Sequence, residues 1–375
     1  MIAVDVRTRF FRFQPPSPLV SSLGSRSFRT LCLVEVETED GLIGLGESWT
    51  NFPHWGAAER HATLMHGIRP LIVGQNVSDV IGTHYRLFQQ LERIGLQWGS
   101  PGAISQAISG VDLALWDLAG KRHKIPVYQL LGGGRSHVPV YASGLGPIVD
   151  EDIIRRHRQM GINVFKLKVG FGLDQDIDQI NRLRKLVGPS AHILVDANQA
   201  WTVREALTEI SAMKPFQIDW IEEPVRADDF DAMATVVERS PIPIAAGENL
   251  YGRSQFASWS AHQALNIAQP DITKVGGLSE AWVIAQMVRS WHIPYAPHFL
   301  GSVIGLAATC HLFSAVPGGL WVELDSNPNA LREEIAEPLA VRDGLIAVPQ
   351  DPGLGIRLKE STLKKYEIGW DEASA

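Results

Sequence analysis

The sequence predicts an α/β chain, a barrel of repeated strand–helix units preceded by a smaller α+β domain. Three observations predict it. Eight short runs rich in β-branched and apolar residues recur between residues 138 and 325. Segments with apolar residues at helical spacing, such as V-R-E-A-L-T-E-I-S-A-M-K, separate them. No G-x-G-x-x-G follows a first strand, which sets a doubly wound sheet behind a barrel. Repeated βα units imply a parallel sheet with right-handed crossovers, and eight in a row suggest a (β/α)₈-type barrel.

Taken in order, the first part mixes element types. Residues 15–28, P-P-S-P-L-V-S-S-L-G-S-R-S-F, read as a flexible loop. Residues 31–48 read as two alternating strands about an Asp40-Gly41 turn. Residues 103–122 carry Ile104, Ile108, Val111 and Leu115 at helical spacing. The G-G-G of 132–134 precedes a strand and no P-loop Lys-Ser follows, so it reads as a linking turn and not a phosphate cradle. The eight barrel runs are 138–143, 164–169, 192–198, 219–224, 242–249, 264–271, 293–299 and 320–325. The tail, with P-G-L-G at 352–355, is expected to pack back on the first domain. The expected division is an α+β capping part in 1–130, the barrel in 131–335 and a returning segment in 336–375.

The bulk numbers bound the function. The chain has 375 residues, 45% hydrophobic and 20% charged, an ordinary globular composition. A net charge of −7 argues against a nucleic-acid partner, which would need a clustered basic face. Cys32 and Cys310 make no disulfide framework, and a reducing cytoplasm is the expected location. The first residues lack a secretory pattern and no apolar run reaches 18 residues, so no membrane association is expected.

The chemistry sits at the ends of the runs. From the second onward they end in Lys166 and Lys168, Asp196, Glu222 and Glu223, Glu248, Asp271, His298, then Glu323 and Asp325. One such residue would ordinarily turn to solvent, but a barrel aims all of these strand ends at a single mouth. Asp196, a glutamate of I-E-E-P and Glu248 come from consecutive strands. Converging carboxylates repel unless a cation joins them, and hard oxygen ligands suit Mg²⁺. Zinc is disfavoured because no Cys or His is interleaved. Strand alternation lets only one of Glu222 and Glu223 face the site and leaves open which. Lys166 and Lys168 share a strand face, so each is expected to lower the other's pKa, as a base near neutral pH requires. Asp271 is expected to fix the tautomer of His298. Lys274, just beyond Asp271, reads as structural. Two bases on opposite sides of one metal suit proton removal beside a carboxylate.

These residues resemble the enolase superfamily, and within it the mandelate racemase subgroup. The motifs are A-L-W-D-L-A-G-K (114–121), Y-Q-L-L-G-G-G (128–134), F-K-L-K-V-G (165–170), V-D-A-N-Q-A-W (195–201), W-I-E-E-P (220–224), A-G-E-N (246–249), P-D-I-T-K-V-G-G (270–277) and A-P-H (296–298). The resemblance implies a modified TIM barrel, (β/α)₇β, under an α+β capping domain. It implies one Mg²⁺ per subunit on Asp196, Glu222 and Glu248, and an octamer or dimer. It implies Lys168 as one base, with Lys166 lowering its pKa and touching the substrate carboxylate. His298 with Asp271 would be the opposite base or acid, and Glu323 would hydrogen-bond the developing enolate.

The expected reaction follows. D-A-N-Q-A-W resembles acid-sugar dehydratases of this subgroup, with Asn198 near the substrate. Such an enzyme would eliminate the β-hydroxyl of a sugar acid to give a 2-keto-3-deoxy acid. The alternative is a racemase or epimerase of a 2-hydroxy acid using the same Lys168/His298 pair. Specificity loops are expected at 15–28, with Arg26 and nearby Arg29, and at 50–56, with His54. Arg26 and His54 are the substrate-binding candidates there, whereas Phe52 and Trp55 argue for an apolar substrate. A binding protein on a decayed barrel is the alternative of another class, disfavoured by the intact polar set.

Overall fold

A computed structural model describes residues 1–53 and 55–373 of the chain. The chain begins with β1 (Ala3–Phe13). A small antiparallel hairpin follows, β2 (Leu19–Ser21) and β3 (Gly24–Arg26), then β4 (Arg29–Thr38) and β5 (Ile43–Ser48). The hairpin lies inside the segment expected to be a loop. Its strands are three residues each, too short to show a period within a Pro- and Ser-rich stretch. β1 pairs antiparallel with β4, and β4 with β5 across the Asp40-Gly41 turn, where Gly41 takes φ +79°.

Helices α1 (Gly56–Ala62), α2 (Arg69–Ile72), α3 (Val80–Trp98), α4 (Pro101–His123) and α5 (Val127–Leu130) complete this part. The predicted helix over 103–122 is α4, which packs closely on β5. A Cβ on Gly46 would lie 1.9 Å from the Gly110 carbonyl oxygen, and one on Gly44 would lie 2.1 Å from that of Ala114. The alternating glycines of G-L-I-G-L-G therefore set how closely strand and helix approach.

The barrel runs β6 (His137–Leu145), α6 (Glu151–Gln159), β7 (Val164–Lys168), α7 (Leu173–Val187), β8 (His192–Asp196), α8 (Val203–Met213), β9 (Ile218–Glu222) and α9 (Phe230–Arg239). It continues through β10 (Ile244–Ala246), α10 (Gly252–Ala261), β11 (Ile267–Ala268), α11 (Leu278–Ser290), α12 (Val303–Ala315) and β12 (Val322–Asp325). Strands β6 to β11 pair in parallel in sequence order, and β12 pairs in parallel with β6. The seventh run forms only a bridge, Tyr295 pairing with Ala268 on one side and Gly319 on the other. Pro294 and Pro297 flank Tyr295 and cannot donate to a ladder, which confines the strand to that residue. Seven helices between eight strand positions make a (β/α)₇β barrel, the modified form expected, in place of a full (β/α)₈.

Strand parity explains the buried charges. Val164, Leu194, Trp220, Ala245, Ile267 and Ala296 form, with Tyr141, one buried cluster that fills the barrel's interior. Two residues further along, on the same faces, come Lys166, Asp196, Glu222, Gln269 and His298. The alternate residues, such as Phe165, Leu167, Ile193, Val195 and Ile221, are buried outward against the helices. Each such side chain stabilises the fold by about 1.5–3 kcal/mol.

The tail contributes α13 (Ala330–Glu333), the hairpin β13 (Val341–Arg342) and β14 (Leu345–Ala347), α14 (Glu360–Leu363), β15 (Glu367–Ile368) and α15 (Trp370–Ala373). β14 pairs with β6 of the barrel, while β15 pairs with β1. Within P-G-L-G, the Leu354 N–H donates to Asp117 of α4 (2.7 Å), so the tail does return to the first domain. No helix among the described residues is long and apolar enough to cross a membrane.

Candidate active site

A cavity of about 190 Å³ opens at the C-terminal ends of the strands. Lys168, Asn198, Glu248 and His298 line it from the barrel, and Leu23, Arg26, Trp49 and Phe52 from the capping part. Lys166, Asp196, Glu222, Asp271 and Glu323 are buried around these wall residues.

Lys166 stands among acids. Its Nζ donates to Glu222 Oε2 (2.7 Å) and to the Tyr141 hydroxyl (3.2 Å), and lies 2.8 Å from Glu323 Oε1. Burial opposes its charge, but Glu222 and Glu323 outweigh burial, and its pKa stands well above the ordinary value. The mutual lowering expected for the two lysines is therefore overturned for Lys166, because carboxylates surround it more closely than its twin. Lys168 donates to Asp196 and to Asn198 Oδ1 (2.8 Å). Asn198 and Gln199 hold left-handed backbone, φ 45° and 65°, which turns the D-A-N-Q segment across the mouth.

The carboxylates sit on neighbouring backbones. Asp196 is the register partner of Lys168 on one side and of Glu222 on the other, and Glu248 follows β10 by two residues. Among the described residues, no three acidic, His or Cys side chains are gathered for a metal ion, since each carboxylate leans toward a lysine or histidine. Even so, Glu222 Oε1 is buried without a partner. Burial and the charge of Asp196 push the Glu222 pKa up to about 7. A set of oxygen donors that repel one another, with one oxygen unmet, fits a hard dication.

Glu223 departs from the alternation argument. It is as buried as Glu222, and its φ of +38° breaks the strand so that both glutamates turn inward. Glu223 accepts from Asn249 Nδ2 (2.9 and 3.0 Å) and from Gln199 Nε2 (3.0 Å). Burial, then Glu248 and Asp196, raise its pKa well above the ordinary value.

His298 joins two carboxylates. Its Nδ1 lies 2.7 Å from Asp271 Oδ2 and its Nε2 lies 2.6 Å from Glu248 Oε2. Thr273 donates to Asp271 Oδ1 from both its N–H (2.7 Å) and its hydroxyl (2.6 Å), so Asp271 is fully held. Burial opposes the imidazolium, but Glu248 and Glu323 with the Asp271 bond raise its pKa well above the ordinary value. Glu323 accepts from the Ser143 hydroxyl, and its Oε2 accepts from the Phe299 N–H (3.0 Å). Burial raises its pKa, but Lys166 and His298 prevail and bring it down to about 2. Glu323 thus stands between Lys166 and His298 beside the cavity wall.

Two further expectations change. Arg29 and Asp325 do not face the mouth. They pair with each other while buried, and Arg332 lies 3.7 Å from the same carboxylate. Lys274, read as structural, has its amine in the cavity wall, 5.0 Å from the Trp49 ring centroid and bonded to Asn249 Oδ1 (3.0 Å). Its position three residues past Asp271 was the available signal. Arg26 and Asn198 line the cavity, and His54 lies outside the described residues. Gln106 and Tyr251 also line it, and nothing in their local pattern singled them out.

A parallel barrel with acids, lysines and a histidine converging under a capping domain has the architecture of a barrel enzyme. Comparison with known proteins gives its family. Residues 4–132 match the mandelate racemase/muconate lactonizing enzyme N-terminal domain, and residues 149–362 match the enolase C-terminal domain-like family. The chain belongs to the mandelate racemase/muconate lactonizing enzyme group of the enolase superfamily, whose members bind Mg²⁺. It is 31% identical to D-galactarolactone cycloisomerase of Agrobacterium fabrum, over 97% of this chain and 98% of that protein. It is also 31% identical to arabinonate dehydratase of Saccharolobus solfataricus, over 89% of each. A racemase from Streptomyces coelicolor A3(2), solved with bound magnesium, superposes with a TM-score of 0.88 at 29% identity, covering 98% of this chain and 100% of that one.

Proposed function

We propose that this chain is a Mg²⁺-dependent acid-sugar dehydratase. The observation that carries the reading is the placement of Lys168 and His298 on the wall of one cavity, from the second and seventh barrel positions. The polar lining between them, Asn198, Gln199, Asn249 and Tyr251, suits a substrate covered in hydroxyls. Relatives named as sugar-acid dehydratases support the same chemistry.

Asp196, Glu222 and Glu248 would hold the Mg²⁺. When bound, the ion supplies positive charge beside the substrate carboxylate, where negative charge develops as the α-proton leaves. Lys168 Nζ takes the α-proton. Asn198, bonded to that amine at 2.8 Å, fixes its direction. The β-carbon–oxygen bond then breaks, and His298 Nε2 gives a proton to the departing hydroxyl, which leaves as water. Asp271 holds the imidazole by Nδ1, so Nε2 carries the working proton. Lys166 anchors Glu222 and Glu323 at 2.7 and 2.8 Å. The enol that remains tautomerises to the 2-keto-3-deoxy acid.

The test is a panel of sugar acids with Mg²⁺, with 2-keto acid detected as its semicarbazone. Product that vanishes with Lys168→Ala supports dehydration. A panel that yields no keto acid sinks it. Deuterium gained at the α-carbon without keto acid would favour racemisation or epimerisation by the same pair. Turnover of lactones alone would favour the cycloisomerase chemistry for which the Agrobacterium relative is named.

A further inference from the structure

We propose that Arg26 binds a second carboxylate, so that the substrate is a dicarboxylic sugar acid with an acid group at each end. The inference rests on the reading above for the end that reacts, and adds what the far end must be.

Arg26 closes the β2–β3 hairpin, and that hairpin is fastened to the barrel mouth. The Ser22 hydroxyl donates to the carbonyls of Ala197 (2.7 Å) and Asn198 (3.1 Å), in the turn that follows Asp196. The guanidinium is thus carried in fixed relation to Lys168 and Asn198, and it lines the same cavity. Its contacts are the Ser21 hydroxyl at 3.5 Å and the face of Phe52, whose ring centroid lies 5.5 Å away. Among the described residues, no carboxylate lies within ion-pair distance of it. Three other arginines are paired with carboxylates. Arg29 is paired with Asp325, Arg332 with Glu333 (2.5 Å), and Arg60 with Glu59 (3.2 Å). Burial, and then the charge of Arg29, lower the Arg26 pKa, and the more distant charges of Glu248, Asp325 and Asp196 offset this only in part.

A half-buried guanidinium on a cavity wall, with no ion-pair partner, gains most from an anion. Its planar fork matches a carboxylate through two parallel bonds, and an ionic bond of that kind is roughly twice as strong as one to a neutral hydroxyl. The substrate's first carboxylate belongs with the ion and the lysines. The group facing Arg26 is therefore the opposite end of the molecule. A sugar acid ending in a hydroxymethyl group would leave the cation unmatched.

The experiment compares acids that differ only at that end, six-carbon hexarates against hexonates of the same stereochemistry, each across the stereoisomer panel. Kinetics are measured on wild type and Arg26→Gln, with calorimetric binding to the Mg²⁺-loaded proteins alongside. The expected preference of wild type for the diacid is about 100-fold in kcat/KM. Arg26→Gln should lose most of that preference through KM, with unchanged Mg²⁺ affinity and an unchanged melting curve as the control for folding. Equal use of mono- and diacid by wild type, or equal losses on both in the variant, overturns the proposal. Diacid binding that needs Arg26, without turnover to keto acid, keeps this subsite and removes the dehydratase reading. Turnover of monoacids alone does the reverse.

Discussion

Glu222 shows how a single side chain can report on its missing partner. One oxygen takes bonds from Lys166 (2.7 Å) and Gln269 (2.6 Å), while the other is buried with none. A buried, unmet carboxylate oxygen costs free energy unless a cation reaches it. Glu222→Gln keeps the shape and removes the charge, so Mg²⁺ affinity measured by calorimetry should fall at least tenfold. Unchanged affinity would take Glu222 out of the ligand set. The two lysines were legible at this scale because alternation in V-F-K-L-K follows from strand geometry alone. Glu223 was not, since its inward turn depends on a φ of +38° that no pattern of letters shows. Asp325 misled for a different reason. Its strand position fits the mouth, but Arg29 arrives from 296 residues away to claim it.

Among the elements, α12 shows how the capping part is locked to the barrel. Glu47, at the end of β5, accepts from the Ser302 N–H (3.0 Å), the Ser302 hydroxyl (2.6 Å) and the Gly305 N–H (2.9 Å) at the start of that helix. A Cβ on Gly301 would lie 2.4 Å from Glu47 Oε1, so the glycine makes room for the contact. Burial raises the Glu47 pKa to about 7, against the lowering effect of those bonds. With the folded value above the unfolded one of about 4.5, the folded state binds the proton more tightly. Its contribution is full below the unfolded value and is lost as pH rises through the folded one, a swing on the order of 3 kcal/mol. Glu47→Gln should therefore flatten the fall of Tm across that window relative to wild type. Parallel Tm curves for the two proteins would contradict it. Elements with a long period, α4 and the β4–β5 pair, were legible from spacing. The β2–β3 hairpin and the one-residue seventh strand were not, because three residues or two prolines leave no period to read.

At the scale of the whole molecule, the capping part and the barrel meet through charge as well as apolar packing. His84 of α3 lies 3.2 Å from Asp112 of α4 and 3.3 Å from Glu280 of α11, which Arg253 of α10 also holds at 2.6 Å. Burial opposes the His84 charge, but the two carboxylates prevail and raise its pKa to about 9. That joint ties the capping part to the barrel, and Arg26, offered by the sequence as a substrate-binding candidate in a loop, lines the cavity. The barrel itself was legible because its rhythm of βα units is a property of the chain's order. The contents of the mouth were legible in part, since strand ends are predictable while the residues brought by loops are not.

The reading of two opposed proton-handling groups is tested most directly by following the α-hydrogen in D₂O with the His298→Asn protein, Mg²⁺ and a sugar acid that wild type converts. Lys168 is intact there, so exchange of the α-hydrogen for deuterium should continue while keto-acid formation falls by about 10²–10⁴-fold, the range expected for loss of a general acid. Keto acid still formed at the wild-type rate, or exchange lost together with dehydration, would contradict the division of labour between Lys168 and His298.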